Sequence, residues 1–313
     1  MRSEISIVVP VFHNGGSLRE LHRRLSAAMG AARVDRFDVT YVDDGSEDDS
    51  AAVLLELQAK NPGVRIVTLS RNFGSMAAIQ AGLNHAAGSA VAVISADLQD
   101  PPELLAPMIE RWRAGARLVL AVRESRDDPF FSRVFSALFY RLFRALVSKE
   151  MPPAGFDFFL LDAQVARLLV EHAEKNTNLA ASILWLGFRR EVLPYHRAAR
   201  PHGQSMWTFP KKIKFLYDSL LGFSYLPLRL MTVLGIIGVF ISFGYGAAVA
   251  IERFTDPAAP RGWASLMVAN LFFSGLMLAS IGTVGEYVWR TFDAARKRPA
   301  FIVEECREPE VRP

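Results

Sequence analysis

Two long uncharged runs in the last third of the chain limit its possible folds more than any other feature. Leu230 to Ile251 is 22 residues without a charge, and Gly262 to Gly285 is 24. Each is long enough for a helix to cross a hydrocarbon core of about 30 Å. Burying two helices of that length inside a globular core is the weaker alternative. The connecting residues, Glu252 to Arg261, hold two arginines, Arg253 and Arg261. The opposite flanks hold eight basic residues: Lys211, Lys212, Lys214, Arg229, Arg290, Arg296, Lys297 and Arg298. The excess of positive charge on the cytoplasmic side of membrane proteins predicts a hairpin with both ends in the cytoplasm. Basic clusters of this kind suit anionic lipid headgroups, and no nucleic-acid partner is expected.

An apolar content of 51% is high for a soluble enzyme, but it hides a split. Residues 1–200 mix charged and apolar positions as a globular domain does. Cys306 is the only cysteine, so no intrachain disulfide can form, in keeping with a reducing compartment. The chain opens almost at once into a strand pattern, Ile5-Ser6-Ile7-Val8-Val9-Pro10, and not into a secretory leader. The N-terminal domain is therefore expected in the cytoplasm.

Short apolar runs over Ile5–Phe12, Phe37–Val42, Val64–Leu69, Ala90–Ser95 and Leu118–Val122 read as buried parallel strands. Amphipathic helices are predicted between them, over Ser17–Ala32, Asp49–Lys60, Ser75–Ala87 and Pro102–Ala114. This α/β alternation implies a Rossmann-like parallel sheet with helices on both faces, binding ligands beyond the carboxyl ends of its strands. Two further stretches, Phe130–Lys149 and Trp207–Phe223, interleave aromatic and basic residues as helices in the headgroup plane do. For the first, an ordinary core stripe is an equal alternative. The expected organisation is a nucleotide domain over 1–200, a juxtamembrane amphipathic segment over 201–228, two membrane helices over 229–289 and a cytoplasmic tail over 290–313.

The chemistry-bearing residues cluster where the predicted strands end. The first strand closes on Pro10-Val11-Phe12-His13-Asn14 and the second on Asp43-Asp44-Gly45-Ser46. A carboxylate there can accept hydrogen bonds from a uracil ring or a ribose hydroxyl, although Asp-Asp-Gly-Ser is also a common turn. The fourth strand runs into Ser95-Ala96-Asp97-Leu98-Gln99-Asp100-Pro101-Pro102-Glu103. Its carboxylates can hold a hard cation such as Mg²⁺ together with substrate phosphates, with Asp97 the foremost metal candidate. On the plainer alternative, Asp100 only precedes a helix begun by proline, and Glu103 favours that helix's dipole.

The order Val9-Pro10-Val11-Phe12, Asp43-Asp44-Gly45-Ser46, Leu69-Ser70-Arg71-Asn72-Phe73-Gly74 and Ala96-Asp97-Leu98-Gln99-Asp100-Pro101-Pro102-Glu103 resembles inverting glycosyltransferases of the GT-A fold. More narrowly, with a membrane hairpin following, it resembles the polyisoprenyl-phosphate glycosyltransferases, which include dolichyl-phosphate mannose synthase and undecaprenyl-phosphate glycosyltransferases. The resemblance implies a donor site from Pro10, Asp43, Asp44, Ser70, Asn72, Ser95, Asp97, Arg123, Arg200 and Ser205, with Asp97 on Mg²⁺ or Mn²⁺. It implies an acceptor-side carboxylate at Asp157, in Gly155-Phe156-Asp157-Phe158, so that Asp157 and Asp97 are the catalytic candidates. Arg200 and Pro201-His202-Gly203-Gln204-Ser205 match a basic loop able to close over a diphosphate. Three departures stand out: Ser95 replaces the first carboxylate of the usual Asp-x-Asp, Phe159 a frequent arginine and Met206 a frequent lysine.

The reaction so implied is transfer of a hexose to undecaprenyl phosphate with inversion, supplying a lipid-linked sugar for cell-envelope glycans. The expected donor is UDP-glucose, ahead of other UDP-hexoses and GDP-mannose. The expected setting is the inner membrane, multi-pass, with catalytic domain and both termini cytoplasmic. A homo-oligomer and a downstream flippase or glycosyltransferase are candidate partners. Two alternatives remain at this point: a processive polysaccharide synthase, disfavoured because the chain has no Gln-x-x-Arg-Trp motif, and a non-catalytic scaffold or pseudoenzyme, suggested by Ser95.

Overall fold

The computed structural model describes residues 4–125, 141–145, 148–153, 155–173, 178–196, 217–224, 226–255 and 262–309. The chain divides into two compact units, Met1–Asp218 with Pro299–Pro313, and Ser219–Arg298. The first unit is built on an eight-stranded sheet. Its strands are β1 (Ile5–Val11), β2 (Phe37–Asp43), β3 (Val64–Leu69), β4 (Ala90–Val93), β5 (Leu118–Ser125), β6 (Phe158–Asp162), β7 (Arg190–His196) and β8 (Val303–Arg307). They lie in the order β7-β5-β6-β4-β1-β2-β3-β8.

The central strands are apolar throughout because both of their faces are covered. Ile5, Ile7, Val9 and Val11 of β1 enter a core with Leu18, Leu21 and Leu25 of α1 (Gly15–Ala31). On the other face, Val8 lies against Gly82 of α3 (Ser75–His85), where a Cβ would come within 2.2 Å of Val8 Cγ1. A larger residue at position 82 would push α3 off the sheet. The remaining helices of the early alternation are α2 (Ser50–Lys60) and α4 (Leu105–Arg113), the latter entered through a 3-10 turn at Pro102–Leu104.

The expected five strands and four helices form within a few residues of their predicted bounds. The sheet is nevertheless mixed and not wholly parallel. β6 runs antiparallel to both β4 and β5, and β8 antiparallel to β3. β6 leads into α5 (Ala163–Glu171), capped by the Asp162 carboxylate, which accepts from Gln164 N at 3.0 Å and Trp112 Nε1 at 3.1 Å. Asn178 caps the short α6 (Leu179–Trp185) in the same way. The segment expected as a tail, 290–313, supplies the end of a helix and then β8. Residues 141–145 and 217–223 are helical, while most of the two aromatic-basic stretches lies outside the described residues.

The second unit holds α7 (Leu226–Thr255) and α8 (Trp263–Ala295), each extending beyond its uncharged run. Both are long and apolar enough to cross a membrane. Their large side chains face outward: Phe240 is 73% exposed, Phe243 76% and Leu278 69%. A helix buried in a soluble core would hide those residues, whereas one bathed in lipid presents them. The two helices meet closely at Gly238, where a Cβ would approach Phe273 Cε1 to 2.6 Å.

Candidate active site

β1 to β5 and β7 all point the same way, so their carboxyl ends share one edge of the sheet. That single fact brings together loops far apart in sequence: Pro10–Asn14 after β1, Asp44–Ser46 after β2, Ser70–Gly74 after β3 and Ser95–Asp100 after β4. Asp157 reaches the same edge by the opposite route. It immediately precedes β6, which runs antiparallel, so the start of β6 lies level with the ends of β4 and β5 (Phe159 pairs with Val93, Phe158 with Ala121).

The loops after β1, β2 and β3 are tied by the two aspartates of the second strand end. Asp44 is buried, and its carboxylate accepts from Phe73 N at 2.7 Å and Gly74 N at 2.8 Å. Burial pushes its pKa up, against the two amide donors, and neighbouring Asp43 adds to the rise. Asp43 is also buried and accepts from Ser46 N at 3.0 Å. Gly45, with φ +73°, lets the turn pass close to the next loop, where a Cβ would come within 2.9 Å of the Arg71 and Asn72 backbone. The Asp-Asp-Gly-Ser segment is thus a turn and a clamp on the Ser70–Gly74 loop at once. Pro10 sits opposite Val42 near the end of β1, half-buried, while Ser70 and Asn72 stand exposed on the loop that Asp44 holds.

The loop after β4 carries non-glycine strain. Leu98 has φ 59°, and His13 on the neighbouring loop has φ 54°. Backbone in that region costs of order 1–3 kcal/mol per residue and tends to mark functional loops. Ser17 Oγ donates to Ala96 O at 2.7 Å, anchoring the loop to α1. Asp97 is half-buried with Oδ1 accepting from Gln99 N at 3.2 Å, and Ser95 is likewise half-buried. Glu103 turns to the surface, where Arg24 holds it at 2.6 Å.

Asp100 behaves otherwise than a helix-leading aspartate. It is fully buried and accepts a hydrogen bond from the Tyr195 hydroxyl of β7. Tyr195 OH in turn accepts from Arg123 Nε at 3.2 Å, and Arg123 NH2 pairs with Asp157. Arg123, at the end of β5, is only 6% exposed. Burial works against its charge, but Asp157, Asp100 and Tyr195 outweigh that and raise its pKa. Burial, then the Asp100 charge, pushes the Tyr195 phenol up, so it stays protonated and donates. A continuous chain, Asp100–Tyr195–Arg123–Asp157, therefore runs from the metal-candidate loop to the candidate acceptor carboxylate. Tyr195 and the burial of Asp100 escape sequence reasoning, because β7 belongs to no predicted element and Asp100 reads as a loop carboxylate or as a residue that only precedes a helix. The structure brings Arg123 and Asp157 together as candidates, while Arg200 and Ser205 lie outside the described residues.

Replacing Tyr195 by Phe removes the hydroxyl from both Asp100 and Arg123. The expected cost is about 1–3 kcal/mol, several degrees in the unfolding midpoint of the catalytic unit, with a parallel fall in turnover. Thermal unfolding and transfer assays check it; a variant with wild-type values for both would remove Tyr195 from the chain of contacts.

With this geometry in place, comparison with known proteins is informative. Residues 6–169 match the model of glycosyl transferase family 2. An uncharacterized glycosyltransferase of Bacillus subtilis (strain 168) is 38% identical, over 96% of this chain and 94% of the relative. A bactoprenol glucosyl transferase of Shigella phage SfV is 32% identical, over 97% of this chain and 99% of the relative. A prophage bactoprenol glucosyl transferase homolog of Escherichia coli (strain K12) is 31% identical, over 97% and 100%. Among solved structures, a mannosyltransferase of Pyrobaculum calidifontis in complex with GDP-Man and Mn²⁺ shares 16% identity at a TM-score of 0.47, covering 92% of this chain and 88% of that one. The mixed sheet with its loops gathered on one edge, and a family match that covers six of its eight strands' worth of sequence up to α5, lead to one conclusion: this chain belongs to glycosyltransferase family 2.

Proposed function

We propose that this glycosyltransferase moves a glucosyl group from UDP-glucose to the phosphate of a polyprenyl lipid, undecaprenyl phosphate in the first instance, with inversion at the anomeric carbon. The observation that carries this reading is the reach of the bactoprenol glucosyl transferase match. It extends over 97% of the chain, through the catalytic unit and the pair of apolar helices alike. A processive synthase would need several more spans to guide a growing polymer.

The residues divide the work by position. Pro10, Asp43, Asp44, Ser70 and Asn72 shape the donor pocket, with Asp44 keeping its loops in register. Asp97 supplies the hard oxygen ligand for a divalent ion, Mg²⁺ or Mn²⁺. One carboxylate plus donor phosphate oxygens is a set that Mg²⁺ accepts, so Ser95 in place of a second carboxylate is compatible with it. Such an ion would neutralise charge on the departing diphosphate. The acceptor phosphate has a second pKa of about 6 and arrives ionised, so a general base is scarcely needed. Asp157, held by Arg123, then serves to position the acceptor, and rate comes from alignment and preorganised charge. Arg200 and Ser205 complete the diphosphate side as proposed donor contacts.

Chain connectivity supports a hairpin orientation. The second unit is bracketed by residues of the first on both sides, at Asp218 and at Pro299, and β8 beyond it joins the catalytic sheet. A pair of spanning helices that starts and ends at one domain must leave and re-enter on that domain's side. With the basic flanks, this supports a reading in which the catalytic unit and both helix-flanking segments lie on the cytoplasmic side of the inner membrane. A homo-oligomer, and a flippase or second glycosyltransferase that uses the product, are the partners this arrangement would serve.

A panel of radiolabelled nucleotide-sugars offered with undecaprenyl phosphate tests the reaction. Label should enter the lipid from UDP-glucose in a divalent-ion-dependent way, and Asp97→Asn should abolish it; transfer only to water or to a growing polymer would refute the reading. For Asp157→Ala, transfer should slow by about 100-fold or more while donor affinity stays near wild type. A variant that binds donor poorly but transfers normally at saturation would place Asp157 on the donor side. Reporter fusions test topology: one after Pro313 should be cytoplasmic and one near Pro257 external, and the reverse pattern would overturn the orientation.

A further inference from the structure

A second cluster of ligating side chains lies away from the donor edge, where β8 joins the sheet. Cys306 lies near the end of β8 and Glu308 just follows the strand, two residues on, with its carboxylate against the Cys306 thiol. His85 ends α3 beside them. Cys306 Sγ stands 3.9 Å from His85 Nδ1 and 3.4 Å from Glu308 Oε1, and the three ligand atoms lie within 4.8 Å of one another. Around a tetrahedral ion with metal–sulfur and metal–nitrogen bonds of about 2.3 and 2.0 Å, neighbouring ligands are ~3.5 Å apart. The two separations from Cys306 Sγ need to change by only a few tenths of an ångström to meet that spacing, and the His85–Glu308 pair, within 4.8 Å, closes on the ion by a side-chain adjustment.

The surroundings favour such an ion. Arg65 is nearly buried and is fixed by Thr40 Oγ1 at 3.2 Å, the His85 carbonyl at 2.7 Å and Asp38 at 3.7 Å. From there its Nε holds Glu308 Oε2 at 2.9 Å. That contact orients the carboxylate with Oε1 toward the thiol, the way outer contacts orient metal ligands. A thiolate, a carboxylate and Asp38 carry three negative charges against the guanidinium, and a dication brings the group to neutrality. Thiolate and imidazole together select a zinc-class ion over Mg²⁺.

We propose that His85, Cys306 and Glu308 form a zinc-class metal site that fastens β8 to α3, with its fourth position open to water. It is separate from the donor-side metal proposed above. α3 runs from Ser75, at the donor loops, to His85, and its 11 residues put the two ends ~16 Å apart. On binding, the thiol proton passes to solvent and the sulfur–metal bond forms; nothing is oxidised or reduced.

The test uses the full chain, purified in detergent, stripped with a chelator and kept in excess Mg²⁺ to fill any oxygen-ligand site. Titration with Co²⁺ should give a thiolate-to-cobalt absorption in the near ultraviolet that saturates at a single equivalent and is erased by Zn²⁺. Because Cys306 is the only cysteine, the band reports on this residue alone. It should vanish in Cys306→Ser, and Glu308→Gln and His85→Gln should each weaken Co²⁺ at least ~10-fold. Zn²⁺ should also slow proteolysis of the C-terminal segment in the wild type and not in Cys306→Ser. Cys306, on the edge strand, and Glu308, just after it, are both exposed, so their variants should melt with the metal-free wild type, separating ligand loss from misfolding. No saturable band, or a band of unchanged affinity in Glu308→Gln and His85→Gln, overturns the site.

Discussion

A guanidinium as deeply buried as that of Arg123 cannot stand alone. Desolvation of a lone charge costs several kcal/mol, so the fold must bring anions to it or expel it. Here Asp157 meets it directly and Asp100 through the Tyr195 hydroxyl. Satisfying that one cation requires the ends of β5 and β7 and the start of β6 to lie at compatible heights, and it fixes the loop after β4 as well. β6 must run backwards for this to happen, since only then does the residue before it reach the carboxyl edge.

The other half of the site depends on a buried anion in the same manner. Asp44 accepts two successive backbone amides from a loop nearly thirty residues further on. Its burial and the near-collision permitted by Gly45 weld the ends of β2 and β3 into one rim. The rims proposed for donor and acceptor are thus each organised around a desolvated charge, with the strained Leu98 loop between them. Preorganised charge of this kind stabilises a transition state without rearrangement at the moment of reaction.

Much of this was legible in the sequence, for physical reasons that differ by element. β1 to β4 are covered on both faces, so they appear as unbroken apolar runs between turn residues. The helix pair was legible because nothing in a soluble core explains so many consecutive uncharged residues. β8 was not: Val303-Glu304-Glu305-Cys306-Arg307 is an exposed edge strand whose charges look like a solvated tail. Nor was the reversal of β6, because strand direction leaves no mark on local composition. The departure at Phe159 becomes intelligible only with the fold, where its ring is buried in β6 and packs edge-on against Phe156. Asp100 was underrated for the same reason, since an aspartate before a proline reads as a turn unless a partner from β7 is known to meet it.

β8 has a further consequence for how the enzyme comes into being. A ribosome emits β1 to β7 first, then the two apolar helices, and the edge strand last. Until those final residues emerge, β3 offers an open row of amide and carbonyl groups, the sort of edge that invites wrong pairing. The catalytic sheet is therefore closed only after both long apolar helices have been made. Synthesis order itself puts completion of the sheet after emergence of both apolar helices, so a chain stalled between them and β8 remains a sheet without its border.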